Sequence, residues 1–290
     1  MAQTDAKREK LKVMAIVAHP HDFTHCAGTC GVHAALGDDV TVVTLMSGEK
    51  MHNERYYNEL MKPESERDPA IVNMDLKEYG AQKEQEFIRA VELFGIKDIR
   101  IFHAPEPFRY FLAPEYGQVL SEVILEVRPD ILITQSPYID GNLTGRYNMS
   151  NIALDDHSQA AIAVHEGLYI AACPDHEKKI APHLVALTLY MGIYFNRDQV
   201  DFYIDVTDFI EQRVQAEAMF MSQGHTYDFS KRRIEVTVGG QGYWSGTAYS
   251  EGFVRSRFEV YDEIPVSPIS IKRARESRLS FISRIEGKKG

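Results

Sequence analysis

Cysteine is scarce in the sequence, which contains only Cys26, Cys30 and Cys173 among 290 residues. So few cysteines exclude a fold that depends on a disulfide framework. Cys26 and Cys30 are four residues apart, but no second cysteine pair accompanies them and the stretch around them has helical spacing. We therefore expect buried helix residues there, and a zinc-cysteine site is the weaker alternative.

Long apolar runs and an excess of positive charge are also missing. No run approaches the roughly 20 apolar residues that cross a bilayer, and the charged N-terminal stretch lacks the apolar centre of a secretion signal. We therefore expect a cytoplasmic protein that does not bind membranes. The formal net charge is −10, which disfavours a nucleic-acid partner because phosphate binding needs a basic face.

Basic residues cluster in one place, near the end of the chain. Between residues 272 and 289 there are seven lysines and arginines against two glutamates. We interpret residues 263–290 as a basic tail that is either solvated or part of a subunit contact, which would make the protein a homo-oligomer. Both interpretations are favoured over an anion-binding arm.

The first half of the chain alternates patterns of buried strands with patterns of amphipathic helices. The predicted strands are 13–18, 40–45, 98–102 and 130–134, and the predicted helices are 24–36, 78–94 and 115–127. This order predicts an α/β fold with a doubly wound, mainly parallel, Rossmann-like sheet. In such a sheet the active site forms where the strands end, near a switch in strand order.

The second half starts with a long loop and continues with further helix and strand patterns. The predicted segments are the loop 135–154, a helix over 155–172, strands over 184–190 and 201–206, and a helix over 208–223. Residues 233–262 combine glycine-rich turns with β-forming residues and predict a small C-terminal β-rich appendage. Without repeats or a linker, residues 1–290 are predicted to form a single domain with its core at about 12–262.

Three potential metal ligands follow the first predicted strand directly. His19 and His21 offer nitrogen and Asp22 offers oxygen, which suit a borderline divalent ion, and Pro20 restricts the backbone between them. A helix N-cap would explain Asp22 without a metal, and surface histidines are common. The position at a strand end favours the metal site.

The residues around this motif resemble the opening of the LmbE/PIG-L family of zinc-dependent de-N-acetylases. AIVAHPHDF followed by AGTCGVHAALGDDVTVVTLMSG is similar to the family's strand, Ala-His-Pro-Asp-Asp-Glu motif, Gly-rich helix and second strand. Further similar segments follow in the family's order, so that the resemblance covers about residues 12–254. These segments are EQEFIRAVELFG (84–95), Arg128-Pro129-Asp130, Asp156-His157 and YSEGF (249–253).

The resemblance implies a metal-dependent hydrolase that removes an N-acyl group, typically N-acetyl, from an amino sugar or a related small conjugate. It implies that His19, Asp22 and His157 bind one divalent ion, Zn²⁺ in the family, and leave positions for water and a carbonyl oxygen. Asp156 would support the catalytic site by orienting the adjacent ligand or by capping its helix.

Three positions of the sequence depart from the family pattern and bear on the reaction. His21 stands where the family has its general base, and it is either the base or a fourth ligand. Phe23 replaces the motif's glutamate, and Leu154 replaces the histidine that protonates the departing amine. The general acid is therefore unassigned, and the histidines that remain as candidates are His25, His103, His165 and His225.

Four residues in polar or glycine-rich segments are predicted substrate contacts: Arg109, Arg146, Tyr147 and Trp244. Aromatic residues in such segments could stack on a sugar ring or simply pack a loop. Two other functions stay open. The site could serve a metal-dependent lyase or isomerase acting on a sugar-derived substrate, or a non-catalytic protein that keeps the metal for ligand binding.

Overall fold

The computed structural model describes residues 8–138, 155–177 and 179–288. Their centre is a sheet whose strands are β1 (Lys12–Val17), β2 (Asp39–Thr44), β3 (Asp98–Ile101), β4 (Ile131–Thr134), β5 (Leu187–Met191), β6 (Phe202–Asp205) and β7 (Ser250–Arg255). The strand order is β3-β2-β1-β4-β5-β7-β6. The first five strands in this order are parallel, and β7 pairs antiparallel with both β5 and β6.

Helices cover both faces of the sheet. In the described part of the chain they are α1 (Ala27–Ala35), α2 (Glu54–Leu60), α3 (Pro69–Val72), α4 (Leu76–Glu92), α5 (Glu115–Val127), α6 (Asp156–Ala171), α7 (Ile210–Ala218), α8 (Tyr227–Ser245), α9 (Pro268–Ala274) and α10 (Arg278–Ile285). Helices α1, α4 and α7 pack on one face, and α5 and α6 pack on the other. None of these helices is long and apolar enough to cross a membrane.

The two cores arise from the alternation of side chains along each strand. In β1, Val13 and Val17 belong to the core under α1 and α4, whereas Met14 and Ile16 belong to the core under α5 and α6. Both sets are buried, which explains why this strand is a continuous apolar run in the sequence. The predicted doubly wound, mainly parallel α/β fold is confirmed.

The prediction of a small C-terminal β-rich appendage is wrong. Residues 227–245 form the long helix α8, and β7 lies inside the main sheet between β5 and β6. Gly242, whose surroundings suggested a turn, is a packing position in this helix, because a Cβ there would overlap the carbonyl group of Ala248. Thr226 begins the helix by accepting a hydrogen bond from the backbone N–H of Phe229.

The predicted basic tail contains two helices, α9 and α10, and part of it is attached to the rest of the molecule. The guanidinium groups of Arg273 and Arg284 donate hydrogen bonds to the carbonyl oxygens of Ser245 and Gly246, at the C-terminal end of α8. Cations at a helix C-terminus are favoured by the helix dipole. The subunit contact predicted for this segment stays a prediction.

Strand β1 marks the switch in strand order. The chain passes from β1 to β2 and β3 on one side, whereas β4 and β5 lie on the other side. Helices that leave such a point in opposite directions open a crevice at the carboxyl ends of the strands. His19, which precedes the 3-10 turn Pro20–His25, therefore lies at the place where a doubly wound sheet forms its site.

Candidate metal centre

Three of the predicted metal ligands converge at the carboxyl end of β1. Oδ2 of Asp22 lies 3.4 Å from Nδ1 of His19, and Oδ1 of Asp22 lies 3.3 Å from Nε2 of His157. The centroids of the two imidazole rings are 5.2 Å apart and the rings are nearly perpendicular. His157 reaches this position because it lies in the first turn of α6, whose N-terminal end faces the crevice.

The carboxylate of Asp22 is held in place by hydrogen bonds to one of its oxygens. Oδ2 accepts the backbone N–H of His19 and the side-chain amide of Gln135, both at 2.8 Å. The other end of the Gln135 amide accepts the backbone N–H of Ala18 at 3.1 Å. These bonds leave Oδ1 directed toward His157. Sequence analysis missed Gln135, although the residue directly follows β4, one of the strand ends that the fold rule selects.

The polar atoms of this group fit a bound cation. The side chain of His19 is only 1% exposed, so water does not reach its two ring nitrogens. Neither nitrogen forms a hydrogen bond with another of the described residues. Buried polar groups are almost always paired in proteins, because an unpaired one loses its hydration without compensation. A divalent ion held by His19, Asp22 and His157 would supply the missing partner.

Neighbouring carboxylates make the electrostatic potential of the centre suitable for a cation. Burial alone would lower the pKa of His157, but Asp22 and Asp155 outweigh it and raise this pKa to about 10. Burial would raise the pKa of Asp22, but His157 and His19 hold it well below its usual range. A buried site that favours positive charge on imidazole and negative charge on carboxylate is one in which a metal ion is stabilised.

Asp156 supports the centre in a different way from the predicted one. Its Oδ2 lies 3.4 Å from Nε2 of His19, which follows β1, so Asp156 contacts this ring and not that of the adjacent His157. Capping of α6 and contact with His157, which were predicted for Asp156, are found at Asp155. Its Oδ1 accepts a hydrogen bond from the backbone N–H of Ser158 and lies 3.5 Å from Nδ1 of His157. Carboxylates that contact ligand histidines fix their orientation.

Arg109, a predicted substrate contact, forms an ion pair with this supporting carboxylate. Its Nη1 lies 2.8 Å from Oδ1 of Asp156, and the same nitrogen donates to the carbonyl oxygen of Phe108. The guanidinium group is about one quarter exposed and lies at the edge of the centre. Its contact with a substrate stays a prediction.

His21 contacts side chains of α7 and α8. Its Nε2 lies 2.9 Å from Oε1 of Glu217 in α7 and 3.0 Å from Nη1 of Arg233 in α8. Glu217 is nearly fully buried; burial would raise its pKa, but His21 and Arg233 hold it well below the usual range. Because Glu217 and Arg233 come from distant helices, no local sequence pattern could have identified this arrangement. The role of His21 as base or ligand stays a prediction.

His52 is a further histidine at the centre that sequence analysis missed. Its ring centroid lies 5.4 Å from that of His19 and 6.2 Å from that of His157. One nitrogen from each of the three rings lies within 4.8 Å of the others. The residue belongs to the segment after β2, another strand end at this edge of the sheet, but a polar loop of that length offered no spacing that singled it out.

The four histidines considered as general acids lie in different surroundings. His25 is buried, and burial together with Arg233 holds its pKa well below the usual range, so that its ring is neutral. His225 lies beside Glu217, His165 contacts the hydroxyl group of Tyr190 at 2.8 Å, and His103 is largely exposed. Burial lowers the pKa of His165 and of His225.

Trp244, another predicted substrate contact, lies away from the centre. Trp244 is half exposed and packs against the guanidinium group of Arg197, whose central carbon lies 4.9 Å from the ring. It lies eleven residues beyond Arg233 in α8, which is about 16 Å along the helix axis. Arg146 and Tyr147, like Leu154, lie outside the described residues.

Comparison with known proteins supports the family resemblance. The model of the family described as "PIG-L: GlcNAc-PI de-N-acetylase" matches residues 14–164, just over half of the chain. No curated protein has a significant sequence match to the chain.

Several solved structures share the fold. The 4-carboxy-2-hydroxymuconate hydratase GalB from Pseudomonas putida has a TM-score of 0.67 at 18% identity, covering 89% of this chain and 100% of that one. The N,N′-diacetylchitobiose deacetylase from Pyrococcus horikoshii has a TM-score of 0.66 at 18% identity, covering 85% and 84%. The conserved protein TT1542 from Thermus thermophilus has a TM-score of 0.62 at 18% identity, covering 87% and 97%.

Proposed function

The chain belongs to the PIG-L family of GlcNAc-PI de-N-acetylases, and from that membership we propose that it is a metal-dependent N-deacylase acting on an N-acylated amino sugar or a related small conjugate. Membership makes the chain an enzyme of the hydrolytic deacetylase class. The observation that carries the proposal is the convergence of His19, Asp22 and His157, with both ring nitrogens of His19 buried and without a hydrogen bond among the described residues.

Each residue of the centre has a task in the proposed reaction. His19, Asp22 and His157 would hold one divalent ion, with Zn²⁺ as the first candidate for this set of nitrogen and oxygen ligands. A bound ion of this kind polarises an acyl carbonyl group and lowers the pKa of water. Gln135 occupies one oxygen of Asp22 and leaves the other, which lies against His157, free to bind the ion, and Asp156 would orient His19.

The substrate class is proposed from the names of related proteins. The family model is described as acting on GlcNAc-PI, and one protein with the same fold is a deacetylase of N,N′-diacetylchitobiose. Both substrates carry an N-acetyl group on a glucosamine ring. Arg109, which lies beside Asp156 and whose side chain is about one quarter exposed, would contact a sugar hydroxyl group.

The test is amine release by protein of known metal content. N-acetylglucosamine, N,N′-diacetylchitobiose and glycosides of N-acetylglucosamine are incubated with the protein, and free amine and free acetate are both measured. We expect release by the metal-loaded protein, and we expect His157→Ala to lose at least roughly 100-fold in kcat/KM together with most of its bound metal.

His183→Ala is the matched control for this experiment. The ring of His183 contacts the carbonyl oxygen of Pro129, near the start of β4 and therefore at the opposite edge of the sheet from the centre. This variant should keep its metal and its activity. If His157→Ala retains the wild-type stoichiometry and affinity for the metal, the ligand assignment is wrong. If the loaded wild type releases no amine from any of these compounds, the deacylase proposal fails.

A lyase is the second candidate function, favoured by the proton-transfer groups. The family's general acid is replaced by Leu154, which cannot donate a proton, and Nε2 of His21 lies against Glu217 and Arg233. A hydratase of an unsaturated carboxylate shares the fold. Loss of diene absorbance when 4-carboxy-2-hydroxymuconate is added, without amine release from the sugars, would favour this function over the first.

A further inference from the structure

The segment that carries His52 is anchored by a buried carboxylate. Glu106, which is 6% exposed, accepts hydrogen bonds from four successive backbone N–H groups. These N–H groups belong to Gly48, Glu49, Lys50 and Met51, with the bonds from Lys50 and Met51 measuring 2.8 and 3.2 Å. A carboxylate that satisfies four consecutive amides holds the backbone in one conformation, because each bond restricts a different peptide unit.

Two side chains of α4 anchor the carbonyl groups of the same segment. Nζ of Lys83, which is 1% exposed, donates to the carbonyl oxygens of Gly48 and Met51, both at 3.1 Å. The hydroxyl group of Tyr79 donates to the carbonyl oxygen of His52 at 3.0 Å. A buried lysine is costly unless it is well paired. Residues 48–52 are thus held from both sides, to a degree that loops without a function rarely need.

The backbone of His52 itself is in an unfavourable conformation. Its φ is +56°, in the left-handed region that costs a side chain other than glycine about 1 kcal/mol or more. This conformation occurs at the residue whose ring lies beside those of His19 and His157. Anchoring and strain together indicate that the segment is built to present this imidazole to the centre.

We propose that His52 is a fourth protein ligand of the metal, in addition to His19, Asp22 and His157. This inference rests on the metal centre of the proposed function. Nitrogens that bind one ion at about 2.1 Å lie at most about 4.2 Å apart. Because the nitrogens of His19, His52 and His157 all lie within 4.8 Å of one another, binding one ion requires a movement of less than about 1 Å. The exposed part of the His52 side chain is 42%, so the ring is accessible for such an adjustment.

A fourth protein ligand has a consequence for the ion. A tetrahedral ion would be saturated by three imidazoles and one carboxylate, whereas an ion with five or six ligands keeps positions for water and substrate. A nitrogen-rich set also disfavours Mg²⁺ and Ca²⁺, which prefer oxygen. The centre should therefore be most active with an ion that accepts more than four ligands, as Zn²⁺ does where it expands to five.

Binding of Co²⁺ to the metal-free, full-length protein tests this inference without an activity measurement. We expect His52→Ala to bind Co²⁺ roughly 10- to 100-fold more weakly than the wild type and to shift its visible absorption, because a nitrogen ligand is lost. His176→Ala is the control, since His176 is an exposed histidine beyond the C-terminal end of α6. Thermal unfolding of each metal-free variant shows whether it is folded.

His52→Cys gives a positive signal. A thiolate at this position should produce a near-ultraviolet sulfur-to-cobalt charge-transfer band that the wild type lacks. Cys26 and Cys30 are buried in the core between the sheet and α1, and Cys173 lies beyond the C-terminal end of α6, at the opposite end of that helix from His157. If His52→Ala binds Co²⁺ within about twofold of the wild type and His52→Cys gives no such band, the inference is wrong. If His157→Ala also binds normally, the whole metal centre is refuted and not only the role of His52.

Discussion

Lys83 allows a quantitative prediction because its side chain is buried against residues 48–51. Burial lowers its pKa from 10.5 to about 8, although Glu54 and Glu106 oppose the shift. At about 1.36 kcal/mol per pH unit, this difference means that the folded state carries a penalty of about 3 kcal/mol while the lysine is charged. Replacement of Lys83 by Met removes the charge and keeps an unbranched side chain of similar length.

The sign follows from proton binding. Between pH 8 and 10.5 the unfolded chain binds the proton on Lys83 more strongly than the folded protein does, so the free energy of unfolding rises with pH over that range. The penalty is fully present below about pH 8 and disappears above about 10.5. All other titrating groups are shared by the two proteins. The free energy of unfolding of the wild type, minus that of Lys83→Met, should therefore increase by about 2.5 kcal/mol between about pH 7 and pH 10.

Urea denaturation of both metal-free proteins at several pH values gives this difference directly. A difference that stays constant within about 0.5 kcal/mol, or that falls as the pH rises, would refute the reasoning. The same variant also bears on the loop, because it lacks the two hydrogen bonds to Gly48 and Met51. At neutral pH this variant should bind Co²⁺ more weakly than the wild type, as is expected for His52→Ala. We expect this weaker binding even under conditions in which the variant is more stable than the wild type.

Three further predictions concern other parts of the molecule. Arg109→Met should lower metal affinity about 10-fold by equilibrium dialysis, because the aspartate that orients a ligand loses its ion pair. Glu251→Gln should lower the free energy of unfolding by about 3–5 kcal/mol in urea, since it leaves the buried Arg213 unpaired; a loss below about 1 kcal/mol would contradict this. Arg8 holds the pKa of Asp38 well below its usual range, so this carboxylate stabilises the fold above about pH 4 and less at lower pH. Asp38→Asn should therefore lose less stability than the wild type on acidification, as thermal unfolding would show.

Several elements could be predicted closely from local patterns. Helix α5 occupies 115–127 as predicted, because its apolar residues recur at helical spacing and the chain turns at Arg128, in a left-handed conformation, before Pro129. Both faces of β1 and β2 are buried, so β1 is an apolar run after Lys12 and β2 combines valine with threonine. In these segments the burial pattern and the intrinsic preferences agree, so the tertiary structure does not change the outcome.

Helix α8 shows why other elements could not be predicted. Its Gly239, Gly240 and Gly242 favour a turn when they are considered locally. In the structure Gly242 lets the helix backbone approach the carbonyl group of Ala248. The packing between two segments decided the conformation, and that packing is not a property of either segment alone.

The sequence by itself determined the order of strands and main helices as far as β4, the location of a candidate site after β1, and the candidate ligands His19, Asp22 and His157, because these depend on local periodicity and on a family pattern. Only the tertiary structure decided what surrounds them. It directs His21 toward Glu217 and Arg233, and it brings Gln135 and His52 from separate strand ends to the same edge. The physical reason is that parallel strands gather their carboxyl ends from distant parts of the chain, so the contacts made there have no signature in any single stretch of sequence.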